Sequence, residues 1–550
     1  MTTADASQLL AQGRRLLDAG FAAEALPLLE RAHRAATDNP DGARWLAEAQ
    51  LLQGRRAAAQ STLDAALAAG PPRSDLVVAR SDIALADGDI AHARDILKAA
   101  PVPDAAILAQ QARAEMASRD HRTAVQTLRR CLVLQPDNLA AQSALIIAAA
   151  HDPEMNTARL KALQREWRGP PPLAAAWPAG PLEPRRRLRV GYVSRAFNHN
   201  NVAKVLAPAL LHHDPERIET YLYSTSRVRD AASVRFRRAA AQWRAIAGLS
   251  DLEAVRQIRS DRIDILVDID GHYFANRLGI FCLRGAPVQL SAWGYVPGPG
   301  VAGIDWLLTD DVVAPPGEAR LFPERLMPLS QAQPYDGGLR PRPDGAIGAR
   351  PSGPIRLGCF SRSDKLGDAV LALWARILAS APGATLLLKG KPFAFAAARD
   401  PVLAVFGAAG VDPARIRFEP GEAHADYLAA YDRIDIALDP FPVNGGLVTL
   451  DGLTQGVPAI TLAGHAPQGR IGASILRHQG LERFVCRSED AYLALAVALS
   501  RDTGGLDRLR RDVALTARRT FGSAASRAYA AEVETAYREI WNRRLAEQRL

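Results

Sequence analysis

Gly445 and Gly446 stand between an apolar run ending at Asp439 and Pro440 and a helical stretch beginning near Leu447. Paired glycines at a helix start let backbone N–H groups approach an anion, and the helix dipole favours a phosphate there. Asp451 lies about one turn into that helix, where a carboxylate can accept hydrogen bonds from ribose hydroxyls. Cations stand nearby. Of the 68 basic residues six are lysines (Lys98, Lys161, Lys204, Lys365, Lys389 and Lys391), and three of these fall between 365 and 391. In a chain that uses arginine almost everywhere else, a lysine marks a place for a compact ammonium. Lys365 follows one strand-like run, and Lys389 and Lys391 follow the next, so the three can neutralise a diphosphate leaving group. Solvated surface lysines and a tight strand-to-helix turn are the plainer alternatives.

A second set of polar residues lies upstream. His199 sits at the tip of the loop after GYVS, in position to serve as a base or to orient a substrate. His212 and His213 read as cap or surface residues. Asp268, Asp270 and His272 follow another strand. The two aspartates have the form of a metal-holding pair, but no third carboxylate follows them, and no metal site is expected.

These residues need elements to position them, and the chain has two kinds. Gly20, Gly54 and Gly88 recur at one constant step, and Ala25, Ala59 and Ala93 keep it, as do Leu29, Leu63 and Leu97. A fourth copy with Ala124, Leu128, Cys131 and Pro136 follows after a slightly shorter step. This is tetratricopeptide spacing: small residues let antiparallel helices approach, glycine ends the first helix of each pair, and leucine fills the seam onto the next. Such an array has a groove suited to capturing a protein segment. The proline-rich stretch 169–184 ends the helical region. Beyond it, short apolar runs at 188–194, 219–224, 264–269 and 287–293 alternate with amphipathic stretches. The alternation resumes at 355–361, 384–390, 415–420, 434–440 and 458–464, after a Pro-, Gly- and Arg-rich connection at 334–354. That pattern predicts two doubly wound α/β domains, with chemistry at the strand carboxyl ends.

Composition excludes several classes. At 48% hydrophobic and 23% charged residues the chain is not disordered in general, and no apolar run approaches the roughly 20 residues of a membrane span. A net charge of +9 over 550 residues is too diffuse to indicate nucleic acid. The opening MTTADASQLL lacks a signal-peptide pattern, and Cys131, Cys282, Cys359 and Cys486 are far apart, so a reducing cytoplasm and no zinc site are expected.

The combination of repeats with GYVSRAFNHN, DILVDIDGHYFANRLGIFCLRGAPVQLSAWGYVPGPGVAGIDWLLTD, LLLKGKPF and the 435–464 segment resembles the SPINDLY and O-GlcNAc transferase family of protein glycosyltransferases. The resemblance implies a tetratricopeptide α-solenoid over 1–145 and a linking helix with a Pro-rich linker over 146–185. It further implies a Rossmann-like acceptor-side domain over 186–333, an interdomain linker over 334–354, and a nucleotide-sugar-binding Rossmann-like domain with C-terminal helices over 355–550, together a GT-B fold. The implied activity is inverting, metal-independent and cofactor-free transfer from a nucleotide-sugar, by default UDP-GlcNAc, to Ser or Thr of a protein held by the repeats. Flagellin is one acceptor compatible with such a chain. His199 falls on the family's active-site histidine and Lys365 on its donor-diphosphate lysine. Lys391, His424, Gly445, Gly446, Asp451 and Arg470 fall on the nucleotide-sugar side. Two stretches depart from the family pattern, Ser361 to Asp364 and Leu447 with Val448. They keep open GDP-fucose, a CMP-linked sugar, or a non-catalytic scaffold. With the donor site assigned to 355–480, deleting residues 1–140 is expected to leave nucleotide affinity nearly unchanged.

Overall fold

A computed structural model describes residues 3–70, 73–100, 102–174, 185–336, 353–421 and 424–547. The helices of the first region pair as the repeat step requires: Thr3–Asp18 with Ala22–Ala35, Pro40–Leu52 with Arg56–Ala68, Ser74–Asp87 with Ile90–Lys98, and Ala105–Ala117 with His121–Leu134. Gly20, Gly54 and Gly88 turn between the paired helices at φ of +81°, +73° and +85°, a region that L side chains rarely enter. Ala25, Ala59 and Ala93 are fully covered, as are Leu29 and Leu63. In the shortened fourth copy the turn position is Arg119, held at φ +71° without a glycine. Leu139–Ala149 and Thr157–Arg165 carry the chain onward, and most of the proline-rich stretch that follows lies outside the described residues.

The first sheet contains Leu188–Ser194 (β1), Ile218–Ser224 (β2), Gln242–Ala245 (β3), Ile265–Asp268 (β4), Val288–Ser291 (β5), Trp306–Thr309 (β6) and Arg325–Pro328 (β7). The second contains Arg356–Cys359 (β8), Thr385–Lys389 (β9), Ile416–Glu419 (β10), Ile436–Leu438 (β11), Ala459–Leu462 (β12) and Val485–Cys486 (β13). Their orders are β3-β2-β1-β4-β5-β6-β7 and β10-β9-β8-β11-β12-β13, and every pairing is parallel. Two doubly wound sheets in tandem were expected and are found. β3, β6, β7 and β13 had no forecast as strands. β3 and β7 are short and partly exposed, so their apolar signal is weak. Strand order reverses between β1 and β4 in one sheet and between β8 and β11 in the other, and in this fold ligands bind where the order reverses.

One boundary needs correcting. The long last helix, Ser523–Glu547, falls within 355–550, the range assigned to the second domain, yet it packs on the first sheet. Val533, Tyr537 and Ile540 are completely buried in one core with Leu188, Val190 and Leu290. Trp293 Nε1 donates to Tyr529 Oη at 2.8 Å, and Glu534 pairs with Arg217 at 2.9 Å. The apolar stripe of the helix covers the face of the first sheet, so this helix belongs to the core of the first domain.

Candidate active site

At the second sheet's switch point, the loops after β8 and β11 meet. Half-buried Lys365, in a single 3-10 turn Ser363–Lys365, donates from Nζ to the carbonyl oxygen of Asn444. Burial, with the Arg362 charge alongside, pulls its ammonium down to about 8. Asp439, just past the end of β11, accepts from Gly445 N at 2.6 Å and from Thr461 Oγ1 at 2.7 Å, and burial lifts its carboxyl to about 6. Gly446 enters the helix Leu447–Thr454 at φ +59°. A Cβ on Gly445 would lie 2.7 Å from both Asp439 Oδ1 and Val448 Cγ2, so this approach requires glycine. Lys365, Asn444 and the Gly-Gly turn are thus brought together, although the Gly445 N–H is already bound to Asp439.

Asp451 is turned elsewhere. Its carboxylate, 1% exposed, accepts from Lys204 Nζ at 2.9 and 3.0 Å and from the Tyr335 hydroxyl. Lys204 belongs to the first domain's helix Asn201–Leu210, and Tyr335 to the chain crossing between domains. The residue expected at a ribose is here the centre of a buried clamp between the two α/β units.

Other expected ligands also have structural partners. Lys391 Nζ donates to Ala86 O of the third repeat at 2.9 Å. Arg470 forms a two-point ion pair with Glu318 at 2.8 and 2.9 Å and donates to the carbonyl oxygens of His465 and Val313. It ties the two domains together. His424 opens the helix His424–Ala429, and its side chain lies outside those described. His199 is exposed, with its backbone N–H given to Asp230 at 2.7 Å. Asn200 caps the helix that follows, and from this loop and helix it is Asn201 that reaches the cleft.

That cleft is a cavity of about 820 Å³ where the repeats meet both domains. Arg113 lines it from the repeats, Asn201 and Phe274 from the first domain, and Ser361, Arg362 and Tyr427 from the second. Phe274 is 57% exposed inside it, with the Arg113 guanidinium 4.2 Å from its ring centre. Arg113 and Phe274 escaped the sequence reading, and the only signal was two aromatic residues in a loop directly after a strand. His272 lines the cleft as well, but its nitrogens are bonded to Ser143 Oγ at 3.1 Å and to Pro299 O at 2.7 Å. Asp268 accepts from Ser291 and Gly271, and Asp270 accepts from Ser194 and Arg195 N. Burial raises the two carboxyls to about 7 and about 6. They organise their loops separately, and among the described residues no group of three His, Cys, Asp or Glu is placed to hold a metal ion. Nor, among the described residues, is any helix long and apolar enough to cross a membrane.

Comparison with known proteins agrees with this architecture. A tetratricopeptide-repeat model matches residues 16–79. The probable UDP-N-acetylglucosamine–peptide N-acetylglucosaminyltransferase SPINDLY of Oryza sativa subsp. japonica is 31% identical over 436 residues, 76% of this chain and 46% of that protein. The SPINDLY protein of Arabidopsis thaliana is 32% identical over 66% of this chain and 40% of its own length. The chain therefore spans less than half the length of these relatives. Among solved structures, a lysine-to-methionine mutant of the Thermobaculum terrenum O-GlcNAc transferase matches over the whole of both chains with a TM-score of 0.79 at 29% identity. The Glycosyl transferase family 41 model matches residues 174–333 and 349–533, spanning both sheets and the loops that meet between them, and the chain belongs to that family.

Proposed function

We propose that this chain transfers a sugar from a nucleotide diphosphate sugar, UDP-GlcNAc by default, to a Ser or Thr hydroxyl of a protein segment lying between the repeats and the two α/β domains. The observation that carries the reading is Lys365, set at the switch point of a doubly wound sheet and beside a cavity walled by repeats and both domains. The relatives' names support the donor, and the tetratricopeptide match supports a protein acceptor. Flagellin draws no support from any relative, so the acceptor is proposed only as a chain segment. In this reading the ammonium of Lys365, with the backbone amide of Gly446, offsets the charge that develops on the departing diphosphate, and no metal or resident cofactor takes part. Attack comes from the face opposite the leaving group and inverts the anomeric centre. His199, exposed at the loop tip two residues before the cavity-lining Asn201, is the group that takes the acceptor hydroxyl's proton in this reading, directly or through water.

The test is calorimetry with UDP, GDP and CMP, followed by a transfer assay. UDP should bind and Lys365→Ala should weaken it, while transfer should survive EDTA. Binding of none of the three nucleotides would leave the scaffold reading. A second donor reading, a CMP-linked acidic sugar, rests on Arg362, whose largely exposed guanidinium lines the cavity, and preferential CMP binding would promote it.

A further inference from the structure

The loop carrying Lys365 has the cavity on one side and the repeats on the other. Within the loop, Lys365 N donates to Arg362 O and Leu366 N to Ser363 O, which shapes the turn without anchoring it. The anchors come from the fourth repeat. Arg119 Nη1 donates to Leu366 O at 3.2 Å, and His121 Nε2 bonds Asp364 O at 2.7 Å. Carbonyl groups on both flanks of Lys365 are therefore held by residues from a distant part of the chain. His121 is itself braced: its ring stacks on His151 at 3.8 Å and 7°, and His151 Nδ1 bonds Ile147 O at 3.0 Å. Arg119 occupies the left-handed turn that Gly20, Gly54 and Gly88 fill in the other repeats. An arginine at such a φ is unfavourable, and here its side chain gains a contact that glycine has no atoms to make. The third repeat joins the same seam, because a Cβ on Gly88 would fall 2.7 Å from the Lys391 carbonyl carbon.

We propose that Arg119 and His121 are positioning residues for Lys365, so that the repeats hold the donor-side loop as well as an acceptor. This rests on the reading of Lys365 as the diphosphate ligand. It also reverses the expectation that removing residues 1–140 leaves nucleotide affinity unchanged.

A double-mutant cycle on the full chain, read as UDP affinity by calorimetry, tests it. The pair Arg119→Met with His121→Phe, which keeps an aromatic ring on His151 but removes both donors, should weaken UDP about tenfold in the native background and less than twofold beside Lys365→Ala. His121→Gln alone, which restores a donor of similar reach, should return affinity to within about threefold of native. Equal losses in both backgrounds, or no loss from the pair in the native background while Lys365→Ala alone weakens UDP, overturn the positioning role. Unchanged UDP affinity in Lys365→Ala alone overturns the donor reading itself, and the inference falls with it.

Discussion

Lysine is rare in this chain, and four of the six positions it keeps have a common character, Lys98 and Lys391 being exposed. Lys161 is fully buried, donating to Pro297 O and Gly298 O beside Glu324. Lys204, Lys389 and Lys365 are each enclosed or partly so, with their ammonium groups on carboxylates or carbonyls. A single compact ammonium fits such holes where a planar five-donor fork does not, and that preference was legible in the sequence as an exception to the arginine habit. What each lysine bonds to was not legible, because even the nearest of these partners, Glu419 and Pro420 for Lys389, belong to a different strand or loop, and the others lie much farther along the chain. Two predictions belong at this scale. Lys365→Ala should lower kcat/KM by about 10²–10³, equivalent to roughly 3–4 kcal/mol, as removal of a preorganised donor does, with the melting temperature nearly unchanged. Lys204→Met strands the Asp451 carboxylate in the interior and should cost about 3–5 kcal/mol of stability by chemical denaturation, whereas Lys204→Met with Asp451→Leu should regain most of it. If both Lys204 variants are equally unstable, the clamp is not what holds the two domains there.

Elements were read more successfully than contacts between them. A constant repeat step and apolar runs of strand length are local signals, so the helix pairs and nine of the thirteen strands among the described residues could be placed. His272 shows where local signals stop. It was read beside Asp268 and Asp270 as a strand-end polar group, yet it reaches across to Ser143 of the helix Leu139–Ala149, which also accepts from Trp167 Nε1 at 3.1 Å. Burial holds the imidazole neutral, with a pKa lowered to about 3 from 6.5. A histidine whose folded pKa is depressed stabilises the fold fully above its unfolded value, and that contribution is lost as pH falls from about 6.5 toward about 3. Asp268 and Asp270 act in the opposite sense: their raised values, about 7 and about 6, give stability that disappears as pH rises from 3.8. The native curve mixes these windows, so the informative quantity is a difference. The gap in unfolding free energy between native protein and His272→Gln should shrink by about 1.4 kcal/mol per pH unit below pH 6, as one proton requires. A gap independent of pH between 6 and 4 would mean that the histidine titrates normally.

At the scale of the molecule, three bodies are tied together by long-range contacts that no local pattern announces. Arg227 of the first domain bonds Asp18 and Glu48 of the first two repeats at 2.6 and 2.9 Å, while the third and fourth repeats grip the second domain. The last helix completes the circuit by returning to the first sheet. Its covered face includes Tyr529, Val533, Tyr537, Ile540 and Trp541, all at most 6% exposed, and each such side chain contributes about 1.5–3 kcal/mol when removed from water. Five of them represent on the order of 10 kcal/mol, comparable to the whole stability of an ordinary domain. Deleting residues 523–550 should therefore unfold the first α/β domain, although the cut lies far along the chain from β7 and inside the range assigned to the second. Hydrogen exchange would locate the damage: amides of β1, β2, β4 and β5 should lose protection, while those of β8, β9 and β11, whose core draws on helices ending before 521, should keep most of theirs. Equal loss across both sheets would mean that the two domains unfold as one cooperative unit, with the Lys204–Asp451 clamp and the repeat seam transmitting the collapse.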